Sequence, residues 1–122
     1  MCFIVESNKE LTAKKDIICY KFLHVVDEDS GMLVSPFIDY VYFLGELNKL
    51  NKKLMTHSLG DAKLIHEGFH SGNGFMIKTW GDRPETFKNY SLFQCTIPKG
   101  AKYYKNSMEY VSDAIIINKR IN

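Results

Sequence analysis

The stretch Leu92-Phe93-Gln94-Cys95-Thr96-Ile97-Pro98-Lys99-Gly100-Ala101-Lys102-Tyr103-Tyr104 reads as strand, turn, strand. Residues 92–97 mix aromatic, β-branched and small apolar side chains, which suits a pleated, half-buried surface. Pro98 restricts φ and Gly100 relieves the steric cost of a reversal, so residues 98–101 are a turn. Residues 102–104 resume the extended chain. Downstream, residues 114–117 (Ala-Ile-Ile-Ile) form an uninterrupted apolar run, the pattern of a strand buried on both faces. Upstream, residues 17–26 (Ile-Ile-Cys-Tyr-Lys-Phe-Leu-His-Val-Val) carry the same strand formers. Residues 27–31 are a loop by composition, residues 32–34 a short strand, and residues 37–43 a further extended segment. Residues 62–67 read as one more strand.

Two segments point to helix. Leu44, Leu47, Leu50 and Leu54 recur at a spacing that lines one helical face. Pro84 stands where a first helical turn begins, with Asp82 as cap and Glu85 favourable near the N-terminus, giving a short helix over residues 84–90. The fold class expected is therefore α+β: a mainly antiparallel, split β-sheet of about six short strands with one or two helices. Residues 1–15 are a polar lead-in, and residues 16–122 are a single globular domain.

Composition narrows the function classes. The chain has 122 residues, 45% hydrophobic and 25% charged, close to the globular average. The formal net charge is +2, set by an acidic residue 1–61 half and a basic residue 62–122 half. A sequence pI of 8.4 and only two arginines, Arg83 and Arg120, argue against a nucleic-acid footprint. No segment approaches the ~18 apolar residues of a membrane helix, and no signal or lipidation pattern opens the chain. A soluble, cytoplasmic protein is expected. Cys2, Cys19 and Cys95 are odd in number and unpaired in spacing, unlike a disulfide framework. Cys19 and Cys95 sit in apolar runs, where buried, reduced thiols are expected. Cys2 as an N-terminal nucleophile would need a nearby base, and residues 3–5 offer none.

Constellations that carry chemistry are few. His66 and His70 would share a strand face but lie ~13 Å apart, too far for one zinc ion. No metal site and no cofactor is expected. Ser71 lacks a Gly-x-Ser-x-Gly elbow, and there is no phosphate loop. Lys99, Lys102 and Lys105, with Tyr103 and Tyr104 interleaved, could stack single-stranded nucleic acid. A lysine-protected edge strand explains the same pattern more simply. Trp80 beside Arg83 reads as a packing residue.

Four blocks taken together carry more than their parts: residues 18–23 (Ile-Cys-Tyr-Lys-Phe-Leu), 68–71 (Gly-Phe-His-Ser), 97–104 (Ile-Pro-Lys-Gly-Ala-Lys-Tyr-Tyr) and 110–117 (Tyr-Val-Ser-Asp-Ala-Ile-Ile-Ile). Their order and spacing resemble the core of the ADP-ribosyltransferase fold, in its arginine-serine-glutamate branch. The resemblance spans residues 16–121. It implies a split sheet that binds NAD across the split. Lys21 would stand at the arginine that contacts the NAD phosphate, Ser71 at the serine of the middle strand, and residues 112–114 at the glutamate region. Two positions depart from the pattern. Lysine keeps the charge and loses the planar fork. The glutamate is missing, and Asp113 is a methylene shorter. The same blocks are similar to small bacteriophage and gut-bacterial proteins to which no activity is assigned.

The function expected is a non-catalytic binding or regulatory protein, phage-type or accessory, that holds a nucleotide-like ligand or a host protein. Tyr20, Lys21, Phe69, His70, Ser71, Tyr103 and Tyr104 would line its site. Two alternatives stand beside it. One is a mono-ADP-ribosyltransferase using NAD through Lys21, Ser71 and Asp113. The other is an interaction module without a pocket.

Overall fold

The computed structural model describes residues 3–5, 10–34, 41–50, 56–59, 62–65, 68–74, 90–106 and 109–121. The elements are thirteen strands: β1 (Phe3–Val5), β2 (Leu11–Thr12), β3 (Ile17–Asp27), β4 (Met32–Val34), β5 (Val41–Phe43), β6 (Leu47–Lys49), β7 (Thr56–Leu59), β8 (Ala62–Ile65), β9 (Phe69–Gly72), β10 (Ser91–Ile97), β11 (Lys102–Lys105), β12 (Glu109–Ser112) and β13 (Ala114–Arg120). A ten-stranded sheet runs β2-β11-β12-β9-β3-β10-β13-β6, with β4 joined to β3 and β5 to β4. A three-stranded sheet runs β1-β8-β7. Every pairing is antiparallel.

This corrects the α+β expectation: among the described residues the protein is nearly all β, with no helix and about twice the strands expected. The leucine spacing over residues 44–50 misleads for a local reason. Gly45 has φ +81°, and the Glu46 N–H donates to the Phe43 carbonyl at 3.2 Å. That is a reversal with a left-handed third residue, which no helix tolerates. Leu44 and Leu47 face solvent, while Asn48 is buried. The Asn48 amide donates to the Ile115 carbonyl at 3.3 Å, fixing β6 on β13. Leu54, the helix at residues 84–90, and Trp80 and Arg83 lie outside the described residues. Two strands fall within the lead-in: β1 pairs with β8, and β2 pairs with β11. β11 is therefore not the edge expected of the lysine stripe, because β2 covers Lys102 and Tyr103.

The deciding stretch folds as read. Ser91–Ile97 and Lys102–Lys105 are strands. Between them the Ala101 N–H donates to the Pro98 carbonyl at 3.1 Å, and Gly100 has φ +92°. A φ > 0 at the third turn position defines a type II turn and selects glycine. Asp16 secures the turn from outside, accepting from the Lys99 N–H at 2.9 Å.

β3 is the spine. Its residues 17–23 pair with β10 and its distal end with β4. Alternation then sets the core: Cys19, Lys21 and Leu23 point inward, and Ile18 and His24 outward. Across from them Phe93, Cys95 and Ile97 on β10, and Ile115 and Ile117 on β13, fill the same layer. β4 and β5 fold over it, bringing Leu33 and Tyr42 into the core.

Candidate functional site

Lys21 does not belong to this apolar layer by chemistry, yet alternation on β3 commits it there with only 7% exposure. Its surroundings follow from the sheet. β3 and β9 meet at one pair only, Tyr20 with Gly72. By contrast β9 pairs with β12 along its full length. Beyond the single pair the ladder between β3 and β9 stops. The Lys21 ammonium crosses that gap and donates to the backbone carbonyl of His70. On its other side Nζ lies 5.4 Å from the centre of the Tyr42 ring, within cation–π range. Tyr42 in turn packs edge-on against Phe69, ring centres 5.8 Å apart.

Among the described residues no carboxylate comes within ion-pair distance of Lys21. Glu109, half-buried on β12, is the acid that acts on it from longer range. Burial holds the Lys21 ammonium below its ordinary pKa, partly offset by Cys95, Cys19 and Glu109. Burial pushes the Glu109 carboxyl up, and Lys21 draws it back down. Burial, then the Lys21 charge, lowers the His70 imidazole to about 4, so it is neutral at pH 7.

Register sorts the expected site residues. Pairing of Tyr20 with Gly72 puts Tyr20 and His70 on one face of the sheet, and Lys21, Phe69 and Ser71 on the other. The β9–β12–β11 register carries this outward, so Tyr103 shares the Lys21 face and Tyr104 the His70 face. Lys21 and the His70 ring therefore do not share a face, and their link is through the His70 backbone. Tyr103 packs on Tyr110, ring centres 6.1 Å apart. Phe69, Ser71 and Tyr104 are buried. His66 lies outside the described residues.

Asp113 sits at the bend between β12 and β13, tied to β11. Its carboxylate accepts from the Lys102 N–H at 3.0 Å, and its own N–H donates to the Lys102 carbonyl at 3.0 Å. Ser112 completes the bend, donating to the Ala114 carbonyl at 2.9 Å. Asp113 thus serves as a backbone clamp. Asp113→Ala is expected to lower stability by about 1 kcal/mol, the net worth of such a bond, in a urea melt.

Sequence reasoning missed Tyr42, Tyr110 and Glu109, and did not see that Cys19 and Cys95 oppose one another. The family resemblance points to Lys21 and Ser71; the period-2 place of Lys21 inside a hydrophobic strand is the signal that could have shown its burial. The chain matches no protein-family model, no curated protein and no solved structure.

Proposed function

We propose that this protein is a non-catalytic binding protein that holds an anionic, nucleotide-like ligand at the split between β3 and β9. The observation that carries the reading is Lys21: a buried cation at the end of an interrupted ladder, held by a carbonyl and a ring and, among the described residues, paired with no carboxylate. Burying a charge without a counter-charge is costly, and such groups concentrate at functional sites. An anion entering the gap supplies a close counter-charge, and Tyr42 offers a ring beside it. The resemblance to ADP-ribosyltransferases supports the same location, since it implies a ligand across the split. It does not support turnover, because the glutamate position reads Ser112-Asp113-Ala114 and Asp113 is engaged in the backbone.

Isothermal titration with NAD, ADP-ribose and cyclic nucleotides tests this. Saturable heat with at least one, weakened by salt, is expected. No heat with any of them overturns the reading. Transfer of label from NAD to an acceptor, abolished by Lys21→Ala, would instead establish the transferase.

A further inference from the structure

Cys19 and Cys95 face each other across the middle of the sheet. They are partners in the β3–β10 register, with uninterrupted pairing on both sides. Both are free thiols and fully buried. Directly opposed residues of an antiparallel ladder have Cα atoms about 4.5 or 5.5 Å apart, depending on the type of pair. Both separations lie inside the range of roughly 4.4–6.8 Å that a disulfide spans. Opposed residues also send their side chains to the same face, so both sulfurs lie in the one buried layer. The backbone therefore already has the spacing that an S–S bond needs.

The two sulfurs are not equivalent. The Cys19 thiol is drawn below its ordinary pKa by Cys95 and, against the opposing effect of burial, by the charge of Lys21. Cys95 is held as thiol by burial and by Cys19, and its Sγ lies 3.7 Å from the Phe93 carbonyl that accepts from it. Ser71 is 6% exposed, lies on the Cys19 face of the sheet, and its hydroxyl completes no hydrogen bond among the described residues. A buried hydroxyl left in this state is rare and invites a small polar guest. Ser71 belongs to β9, which meets β3 at one pair only.

We propose that Cys19 and Cys95 are a redox-active dithiol that closes to a cross-strand disulfide when a hydroperoxide enters beside Ser71. The Cys19 sulfur attacks one peroxide oxygen, forming S–O and breaking O–O. The departing oxygen takes the proton that the Cys19 thiol gives up and leaves as water or alcohol, with the Ser71 hydroxyl donating a hydrogen bond to it. The Cys95 sulfur then attacks the Cys19 sulfenic acid. S–S forms, S–O breaks, and hydroxide takes the Cys95 proton to leave as water. The thiols give up two electrons and the peroxide accepts them. This proposal is independent of the bound anion: a protein with no nucleotide affinity would still oxidise.

The test uses Cys2→Ser, so that Cys19 and Cys95 are the only thiols. After treatment with hydrogen peroxide under native conditions, mass spectrometry is expected to show loss of two hydrogens and a Cys19–Cys95 linked peptide. Cys95→Ala in that background should trap sulfenic acid on Cys19 with a dione reagent, whereas Cys19→Ala should leave Cys95 unreacted. Ser71→Ala should slow native oxidation by about a hundredfold, the low end of what losing one positioned donor costs. Thiols that stay reduced while folded and react only in denaturant overturn the proposal. So does a disulfide found only between chains, which needs no substituted variant to detect.

Discussion

Lys21→Met is expected to leave the protein at least nearly as stable as the parent while weakening anion binding tenfold or more. The stability half follows from opposing terms. Methionine keeps most of the aliphatic stem beside Tyr42 and Phe69 and removes a buried charge. Replacing buried ionic groups by apolar ones of similar volume is often neutral or stabilising, by ~1–4 kcal/mol. Against this, the His70 carbonyl loses its donor, which costs ~1–3 kcal/mol if nothing replaces it. The terms offset to within a kcal/mol or two. The binding half is not offset, because the ammonium is the cation that the proposed ligand neutralises. A tenfold loss is about 1.4 kcal/mol, the low end of a hydrogen bond to a charged group. Denaturant melts and titration with the best-binding nucleotide measure the two halves. Stability falling by ~3–5 kcal/mol with affinity unchanged would make Lys21 a structural group whose partner had been broken. The ligand would then lie elsewhere.

A lysine that costs the fold something is the kind of residue sequence reading finds without explaining. The run Ile17 to Val26 is legible as a strand because β-branched and aromatic side chains dominate it, and alternation then places Lys21 beside Cys19 and Leu23. The turn at Pro98–Ala101 is legible for the same local reason, as are β4 and the apolar part of β13. What fails is whatever depends on partners distant in sequence. β6 (Leu-Asn-Lys) has no strand signature; it is a strand because Ile115 and Ile116 stand opposite it and Asn48 bonds across. β2 and β12 are likewise defined by β11 between them. The leucine spacing suggested a helix because periodicity counts positions, not exposure, and Gly45 with φ +81° outweighs it. The site divides the same way. Lys21, Phe69 and Ser71 come together because β3 and β9 touch at one pair, a fact of register. Tyr20, His70 and Tyr104 were named from the same sequence blocks and lie on the other face.

The second large effect is in acid. His70 titrates in the folded protein at about 4, pushed down by burial and then by the Lys21 charge. In the unfolded chain an imidazole titrates near ~6.5. Between these values the unfolded state binds more protons, so stability falls as pH falls through this window and levels off below it. The shift corresponds to about 3 kcal/mol. Other groups around the split shape the curve in windows of their own. Glu109, with its carboxyl pushed up by burial, is favoured protonated in the fold, so its contribution is lost as pH rises. Lys21, held low by burial, binds its proton more readily when unfolded, and acts at higher pH. The expected result is therefore a difference. Urea melts of the parent and of His70→Gln from pH 7.5 to 3.5 should diverge below pH 6.5, the parent losing about 3 kcal/mol more. Neutral glutamine has no proton to gain and retains the backbone carbonyl that Lys21 needs. Parallel curves would mean that the His70 ring is solvated and ionises freely. The interior of the split would then already be open to water, and the cost of burying Lys21 would be correspondingly small.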